Sequence, residues 1–312
     1  MVKVLITPRS FGQYSKEPYK ILKNFGIDIV ENPTKLILSE DAIKELIVDV
    51  DGIIVGVDPL NKRVLEQAGK LTAISKYGVG LDNVDLDYCK EKEILVTITQ
   101  NANSDAVADH AFALMLSVAR RIVEIDAACR NDDWTKKVAI DVFGKKIGIL
   151  GLGHIGRGVV KRAKGFDMDV FGYDVFKDEE YIKNNDIHFT SLEEIFKECD
   201  FISIHLPLVD GTRHIIDEKM LNLAKSNLVI VNTARGGIID EDALYDALLN
   251  KKIYGAGIDV FEEEPPKNSK LLTLKNATVT SHSSASTIGA VDTMGIMAAN
   301  NLIESFKLKG IL

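Results

Sequence analysis

The fold of this chain is decided by the stretch Ile147-Gly148-Ile149-Leu150-Gly151-Leu152-Gly153-His154-Ile155-Gly156. Its first residues are apolar or glycine and predict a strand, and a helical pattern begins where the stretch ends. Gly151, Gly153 and Gly156 form a GxGxxG pattern at this junction. Such glycines allow a tight turn, close approach of the backbone to a pyrophosphate and close packing of helix on strand. Because the helix N-terminus would face the phosphates, the stretch predicts a dinucleotide-binding site.

An acidic residue, Asp174, closes the next predicted strand. A carboxylate at that point can accept hydrogen bonds from ribose hydroxyls, whereas its charge would repel a 2′-phosphate. The cofactor is therefore expected to be NAD rather than NADP, although the positive charge of Lys177 nearby favours a phosphate. The alternative interpretation of Asp174 is a solvated turn residue. His154 and Ile155, inside the glycine loop, are expected to contribute to cofactor binding, His154 through its backbone amide rather than as a catalyst.

Short apolar strands alternate with helical patterns along almost the whole chain. One series is predicted at Val2–Ile6, Ile53–Val55 and Leu95–Ile98, and a second at Ile147–Leu150, Val170–Tyr173, Phe201–Ile204, Val229–Val231, Gly255–Ile258 and Thr278–Thr280. Near-continuous apolar runs are typical of strands buried on both faces of a parallel sheet. The alternation predicts the α/β class with doubly wound parallel sheets.

Two long helical stretches, Ala106–Val123 and Thr287–Phe306, flank the second series. Their positions predict two domains, with residues 101–287 inserted into a domain formed by residues 1–100 and 288–312. A ligand is expected in the cleft between the domains, beyond the carboxyl ends of the strands.

Composition excludes several classes of protein. The chain has 312 residues, of which 46% are hydrophobic and 27% charged, as in ordinary globular proteins. No apolar run is long enough for a transmembrane helix and the start lacks a signal-peptide pattern, so we expect a cytoplasmic protein without a membrane partner. The net charge of −8 and the lack of a Lys/Arg cluster argue against a nucleic-acid partner. The three cysteines lack metal-ligand spacing and are expected to be reduced thiols, and no metal site is predicted.

Charged side chains follow three strands of the second series. Arg235, the acidic run 262–264 and His282 each come shortly after a predicted strand. The carboxyl ends of parallel strands meet at one edge of a sheet, which is also the edge of the glycine loop. All three groups could therefore reach one substrate.

Several motifs stand in a fixed order along the chain. They are Lys76-Tyr77-Gly78-Val79-Gly80-Leu81-Asp82-Asn83-Val84-Asp85, the glycine loop, His205-Leu206-Pro207-Leu208, Asn232-Thr233-Ala234-Arg235-Gly236, Asp259–Pro265 and His282. With them the chain closely resembles the D-isomer-specific 2-hydroxyacid dehydrogenases, especially the phosphoglycerate dehydrogenase branch, over nearly its whole length. The resemblance implies an NAD-dependent oxidoreductase with a Rossmann-type cofactor domain inserted into a flavodoxin-like substrate domain.

The resemblance places the catalytic residues at Arg235, Glu264 and His282, and it alone selects Glu264 from the acidic run. Their chemistry suits hydride transfer between a 2-hydroxy acid and a 2-keto acid. Histidine suits a base that works near neutral pH, and a carboxylate beside it favours the protonated ring. Arginine matches a carboxylate with its planar fork and can polarise the adjacent carbonyl.

The resemblance also implies the residues that bind the cofactor and the substrate. Besides the glycine loop and Asp174, those expected to bind NAD are His205, Leu206, Pro207, Thr233, Ala234, Arg235, Asp259, His282, Ser284 and Ala285. Those expected to bind substrate are Lys76, Gly78, Val79, Gly80, Arg235 and His282. The amides of the Gly-Val-Gly turn suit an anionic carboxylate, although a simple turn is the alternative.

The expected substrate pair is 3-phosphoglycerate and 3-phosphohydroxypyruvate, as in serine biosynthesis. Phosphoglycerate dehydrogenases often carry an Arg-Ser-x-Thr pattern after the third strand, where this chain has Gly56-Val57-Asp58-Pro59. Arg9 and Lys76 are the cations that could replace the missing arginine. Small 2-keto acids such as glyoxylate, hydroxypyruvate or pyruvate are the alternative substrates, and an NADH-sensing corepressor-like protein is a remote alternative.

A homodimer is expected because the helix Ala106–Val123 is rich in Ala, Leu and Met and looks too apolar for one domain to cover. Relatives dimerise through the corresponding region of the cofactor domain. The interface would be two-fold, as in most closed oligomers.

Overall fold

The structure is a computed structural model that describes residues 2–34 and 36–312. Met1 and Lys35, which belong to the first predicted domain, lie outside the described residues. The chain divides into two compact units, unit 1 with Met1–Asn103 and Ser286–Leu312, and unit 2 with Ser104–Ala285.

Strands and helices alternate along the chain. The strands are β1 (Lys3–Ile6), β2 (Asp28–Glu31), β3 (Gly52–Val55), β4 (Ala73–Lys76), β5 (Leu95–Ile98), β6 (Lys146–Leu150), β7 (Asp169–Tyr173), β8 (His188–Phe189), β9 (Phe201–Ile204), β10 (Val229–Asn232), β11 (Gly255–Ile258) and β12 (Ala277–Val279). The helices are α1 (Glu17–Asn24), α2 (Glu40–Ile47), α3 (Lys62–Leu65), α4 (Leu86–Glu91), α5 (Ser104–Ala119), α6 (Ile122–Arg130), α7 (His154–Gly165), α8 (Glu179–Asn184), α9 (Leu192–Glu198), α10 (Glu218–Leu223), α11 (Glu241–Leu249) and α12 (Ile288–Leu308), with a short 3₁₀ helix at Lys270–Thr273.

Unit 1 is built on a five-stranded parallel sheet in the order β2-β1-β3-β4-β5. Strands β3 and β4 are buried along their whole length. The apolar sequence of β3 predicts this burial, whereas β4 ends in Ser75 and Lys76 and is absent from the predicted series. Helix α12 begins after Thr287, whose side chain accepts a hydrogen bond from the Ala290 amide and caps the helix. Its apolar residues pack on one face of the sheet.

Unit 2 is built on a seven-stranded parallel sheet in the order β12-β11-β10-β9-β6-β7-β8. The chain runs outward from β6 through β7 to β8 and then crosses to β9 on the other side of β6. The strand order therefore reverses between β6 and β9, which is where open α/β sheets bind their ligands. With both units doubly wound and parallel, the predicted fold class is confirmed.

The predicted helix Ala106–Val123 is wrong in its extent, because α5 ends at Ala119 and α6 begins at Ile122. Between them Arg121 adopts a left-handed conformation with φ of +55°. The apolar residues of α5 are buried within unit 2, where they pack on the sheet and α7. The apolar surface that suggested a dimer is thus covered inside a single unit.

Candidate active site

The three glycines after β6 each meet a different demand of the loop. Gly151 has φ of +99°, and a Cβ there would lie 2.6 Å from the carbonyl oxygen of His205. A Cβ at Gly156 would lie 1.9 Å from the carbonyl oxygen of Gly151, whereas one at Gly153 would meet no heavy atom within 4 Å. Two glycines therefore allow the loop to pack, and Gly153 leaves an open face at the start of α7. This is the arrangement that brings backbone close to a pyrophosphate.

Asp174 is bonded to the glycine loop. Its Oδ2 accepts a hydrogen bond from the Leu152 amide at 2.6 Å, and its Oδ1 accepts one from the Phe176 amide at 3.0 Å. The carbonyl of Leu152 accepts a hydrogen bond from Arg157 Nε at 3.0 Å, and Arg157 also pairs with Asp178 at 2.7 Å. Asp174 thus orients the loop, a role that the sequence pattern does not reveal.

Two buried polar atoms lack a hydrogen-bond partner among the described residues, at the carboxyl ends of β9 and β10. They are His205 Nδ1 and Thr233 Oγ1. The other ring nitrogen of His205, Nε2, lies 2.8 Å from Ser203 Oγ. Burial lowers the pKa of His205 to about 3, so the ring is neutral at physiological pH. Buried polar atoms normally have partners, and these two, with the open face at Gly153, fit a bound dinucleotide.

Arg235 follows β10 in a loop that is fixed from within. Asn232 Nδ2 donates to the Arg235 carbonyl at 2.8 Å, and Asn232 Oδ1 accepts from the Ala234 amide at 3.0 Å. A Cβ at Gly236 would lie 2.0 Å from the backbone of Phe261, so the loop after β10 lies against the loop after β11. This contact keeps the Arg235 loop beside the loop that carries Glu264.

Glu264 and His282 form a hydrogen-bonded pair, with 2.7 Å between Glu264 Oε2 and His282 Nδ1. Glu264 Oε1 accepts a second bond from the Phe261 amide at 3.1 Å. Burial acts to raise the pKa of the Glu264 carboxyl, but the hydrogen bond and charge of His282 and the Phe261 amide outweigh it and hold that pKa below its usual range. The carboxylate is therefore ionised near neutral pH, and His282 Nδ1 is the donor, which leaves Nε2 outside the pair.

Asp259 ties down the loop that carries His282. Its fully buried carboxylate accepts bonds from the Ser283 amide at 2.9 Å, the Ser284 amide at 3.0 Å and the Thr280 hydroxyl at 2.6 Å. The Asp259 carbonyl accepts a hydrogen bond from the His282 amide at 2.8 Å. His282 itself has φ of +51°, a conformation that costs an ordinary residue on the order of 1 kcal/mol. Asp259 thus stabilises the loop in which His282 has this backbone conformation.

The residues predicted for the substrate carboxylate lie in unit 1, after β4. The Gly78 amide donates to Thr99 Oγ1 at 2.9 Å, and Gly78 has φ of +137°. Because the Gly78 amide is engaged in this bond, it is not available to an anion, which reduces the predicted turn to the amides of Val79 and Gly80. Lys76 is buried, and its Nζ donates to the Gly56 carbonyl at 2.5 Å and to Asn83 Oδ1 at 2.6 Å.

The remaining predicted residues lie at the same strand ends of unit 2. Leu206 and Ser284 are buried and Pro207 is exposed. In the glycine loop His154 is exposed and Ile155 half-buried, while Ala234 and Ala285 are also half-buried. Within the described ranges no cluster of His, Cys, Asp or Glu could hold a metal ion. None of the described helices is long and apolar enough to cross a membrane.

Comparison with known proteins agrees with this geometry. Residues 112–284 match the family described as D-isomer specific 2-hydroxyacid dehydrogenase, NAD binding domain. The chain is 40% identical over 307 residues to D-3-phosphoglycerate dehydrogenase of Methanocaldococcus jannaschii, covering 97% of this chain but only 57% of that relative. It is also 40% identical over 299 residues to glyoxylate reductase of Thermococcus litoralis, covering 90% of each chain.

A solved structure shows the same fold. D-lactate dehydrogenase from Aquifex aeolicus, complexed with NAD and lactic acid, superposes with a TM-score of 0.84 at 31% identity, covering 99% of this chain and 96% of that one. The chain therefore belongs to the D-isomer-specific 2-hydroxyacid dehydrogenases, NAD-dependent oxidoreductases, and unit 2 carries their NAD-binding domain.

Proposed function

We propose that the chain interconverts a D-2-hydroxy acid and its 2-keto acid, with 3-phosphoglycerate and 3-phosphohydroxypyruvate as the pair, which would serve serine biosynthesis. The observation that carries the reaction type is the 2.7 Å pair of Glu264 and His282 in the NAD-binding unit. Arg235 lies in the loop after β10. At Gly236 this loop packs against the loop after β11, which carries Glu264.

His282 is the acid–base group of the proposed reaction. In oxidation its Nε2 accepts the proton of the substrate hydroxyl, and in reduction it returns a proton to the carbonyl oxygen. The ionised Glu264 stabilises the charged ring and fixes which nitrogen faces the substrate. NAD, when bound, supplies or accepts the hydride.

Arg235 is proposed to bind the substrate carboxylate and polarise the carbonyl beside it. Its guanidinium donates to the Ala234 carbonyl at 2.7 Å, which restrains the side chain near its own loop. A guanidinium presents its five donors in a planar fork, which matches the two oxygens of a carboxylate. In unit 1 the amides of Val79 and Gly80 are proposed to bind the same class of anion.

Arg9 is the cation proposed to bind the phosphate. It follows β1 and is exposed, and among the residues that the structure describes it has no ion pair. The strand order of unit 1 reverses between β1 and β3, so Arg9 stands beside a ligand-binding position of its sheet. Lys76 has a structural role as well, because its ammonium joins the loops after β3 and β4.

Reduction of small 2-keto acids such as glyoxylate, hydroxypyruvate or pyruvate is the second candidate function. It is favoured by Asp58, which stands in the loop after β3 where the phosphoglycerate pattern has a basic group. The buried Asp58 carboxylate accepts bonds from the Thr7 hydroxyl at 2.5 Å and the Leu38 amide at 2.8 Å. A fixed negative charge at this edge opposes a phosphorylated substrate.

The two candidates are separated by NADH oxidation with a panel of 2-keto acids that includes 3-phosphohydroxypyruvate, glyoxylate, hydroxypyruvate and pyruvate. If the phosphate contact exists, Arg9→Ser raises KM for 3-phosphohydroxypyruvate about tenfold, the worth of one charge-assisted bond, and leaves KM for glyoxylate unchanged. Equal effects on both substrates, or a preference for glyoxylate in the unaltered enzyme, would favour the second candidate. NADH binding without turnover of any acid would favour a sensor.

We also propose that the enzyme is a cytoplasmic homodimer. Its three cysteines are free thiols, as the reducing cytoplasm maintains them. Since α5 is covered, the interface is assigned to the segment that follows it, residues 122–143. Trp134 is 82% exposed there, Val138 86% and Phe143 66%, and apolar side chains so exposed are typical of protein–protein contacts.

A further inference from the structure

His110 lies on α5, outside the groups assigned to the reaction, and its ring reaches the end of β12. Its Nε2 lies 3.0 Å from Thr280 Oγ1 and 3.7 Å from Asp259 Oδ1. The side chain is 25% exposed. The Thr280 hydroxyl thus lies between the His110 ring and the buried Asp259 carboxylate, in a hydrogen-bond chain whose direction can be worked out from its members.

The direction follows from the single proton of the Thr280 hydroxyl. Asp259 Oδ1 can only accept, so Thr280 donates its proton across the 2.6 Å contact. The same hydroxyl oxygen can then only accept from His110, whose Nε2 must carry a hydrogen. The chain therefore runs from His110 to Thr280 to Asp259, and each bond polarises the next.

The chain ends on the group that shapes the His282 loop. The Asp259 carboxylate binds the Ser283 and Ser284 amides, and the Asp259 carbonyl binds the His282 amide. These bonds stabilise the loop in which His282 has its left-handed backbone conformation. A rotation of the Asp259 carboxylate would therefore move the His282 ring relative to Glu264.

We propose that His110 is a positioning residue for His282, acting through Thr280 and Asp259. The proposal rests on the acid–base role proposed for His282. His110 would fix the orientation of the Asp259 carboxylate and so hold the imidazole of His282 in line for proton transfer. It would not itself touch the substrate.

The test compares His110→Leu with His110→Gln, because a glutamine amide can place a donor near the position of Nε2. We expect His110→Leu to lower kcat about tenfold, the effect of losing one buried hydrogen bond in a positioning chain. The KM for the keto acid and the Kd for NADH, measured by fluorescence, should change less than twofold. His110→Gln should recover most of the lost kcat. A purely structural role would not produce this split.

Two further variants test the same chain without removing the imidazole. Thr280→Val keeps the side-chain volume but removes the hydroxyl, and it should lower kcat as His110→Leu does, whereas Thr280→Ser should not. The double variant His110→Leu with Thr280→Val should be no slower than the slower single variant, because both break one chain. Asp109→Ala is the control, since Asp109 is next to His110 but pairs with Arg162 at 2.6 Å.

The proposal is overturned if His110→Leu and Thr280→Val both retain kcat, or if Gln at position 110 is as slow as Leu. If His110→Leu lowers the melting temperature, the Thr280→Val and Thr280→Ser pair decides. His282→Ala separates this failure from that of the proposed function. Full turnover in His282→Ala would refute the acid–base role itself, whereas its loss together with normal His110 variants would refute only the positioning role.

Discussion

The glycine loop offers a pair of substitutions with opposite expected effects. Gly156→Ala places a Cβ 1.9 Å from the Gly151 carbonyl oxygen, a contact that backbone cannot avoid by a rotamer change. Overpacking of this kind costs about 1–3 kcal/mol, and we expect the upper end. Gly153→Ala places its Cβ where no heavy atom lies within 4 Å, at an ordinary φ of −70°. The smaller entropy of the unfolded chain offsets the poorer helix cap, so stability should change by less than about 1 kcal/mol.

For cofactor binding we expect the opposite order: Gly153→Ala should be the variant with the larger loss of NADH affinity. The Gly153→Ala methyl group occupies the face that we assign to the pyrophosphate, and losing one amide–phosphate bond costs about 1.5–3 kcal/mol, or about 10–100-fold in the Kd for NADH. The assays are urea unfolding and NADH fluorescence titration of both variants. If the Gly153→Ala variant binds NADH as tightly as the parent, the placement of the cofactor pyrophosphate at this face is refuted. If the Gly156→Ala variant is as stable as the parent in urea, the close packing described for the glycine loop is refuted.

Three other predictions concern separate parts of the molecule. Asp174→Ala should weaken NADH binding, because the 2.6 Å hydrogen bond from the Leu152 amide is lost. Asp174→Asn keeps an acceptor for that bond and should mainly improve NADPH binding. Unchanged NADPH binding in both variants would show that Asp174 does not face the 2′ position of the cofactor ribose. Burial lowers the pKa of His205 from its ordinary value of 6.5 to about 3 in the folded chain. Because the unfolded chain binds the proton first, the stability of the folded chain falls as the pH drops from about 6.5 towards 3. His205→Gln should therefore lose less stability than the parent between pH 7 and pH 4.5, measured by urea midpoints, and an equal loss would contradict the buried neutral ring. Light scattering should give about twice the 34.4 kDa chain mass, with Trp134→Ser shifted towards 34.4 kDa, and a monomeric parent at micromolar concentration would reject the dimer.

Most of the central strands could be predicted from sequence because nearly all of their residues are apolar. Strands β3, β9 and β10 are buried at every residue. Three strands are absent from the predicted series: β4, which is central but ends in Ser75 and Lys76, and β2 and β8, which lie at sheet edges. β2 begins and ends with an acidic residue, and β8 has only two residues. Edge strands bury less surface and therefore leave a weaker pattern.

The break after α5 could not be predicted, because the apolar spacing continues into Ile122 and Val123 without a glycine or proline. The turn depends on Arg121, whose Nε donates to Glu124 at 2.7 Å. Such a local bond between two surface residues leaves no trace in hydrophobic periodicity. For the same reason the sequence could not show that the apolar face of α5 is buried by packing within unit 2, and the homodimer stays a prediction.

For the candidate site, the sequence indicates residue types but not the contacts between them. Strand ends indicated Arg235 and His282, but composition could not choose among the acids of the 262–264 run. The structure separates them, because Glu262 pairs with His214 at 2.9 Å and Glu264 pairs with His282. The contact of His110 with Thr280 joins residues 170 positions apart, so no local pattern could reveal it.

The central claim is that His282, oriented by Glu264, transfers the proton in NAD-linked reduction of a 2-keto acid. The most direct measurement is kcat for NADH oxidation by His282→Ala with the best acid of the panel, beside the Kd for NADH of the same variant. The account predicts a fall in kcat of about 10²–10⁴-fold with a Kd for NADH close to that of the parent. Turnover at the parent rate would contradict it.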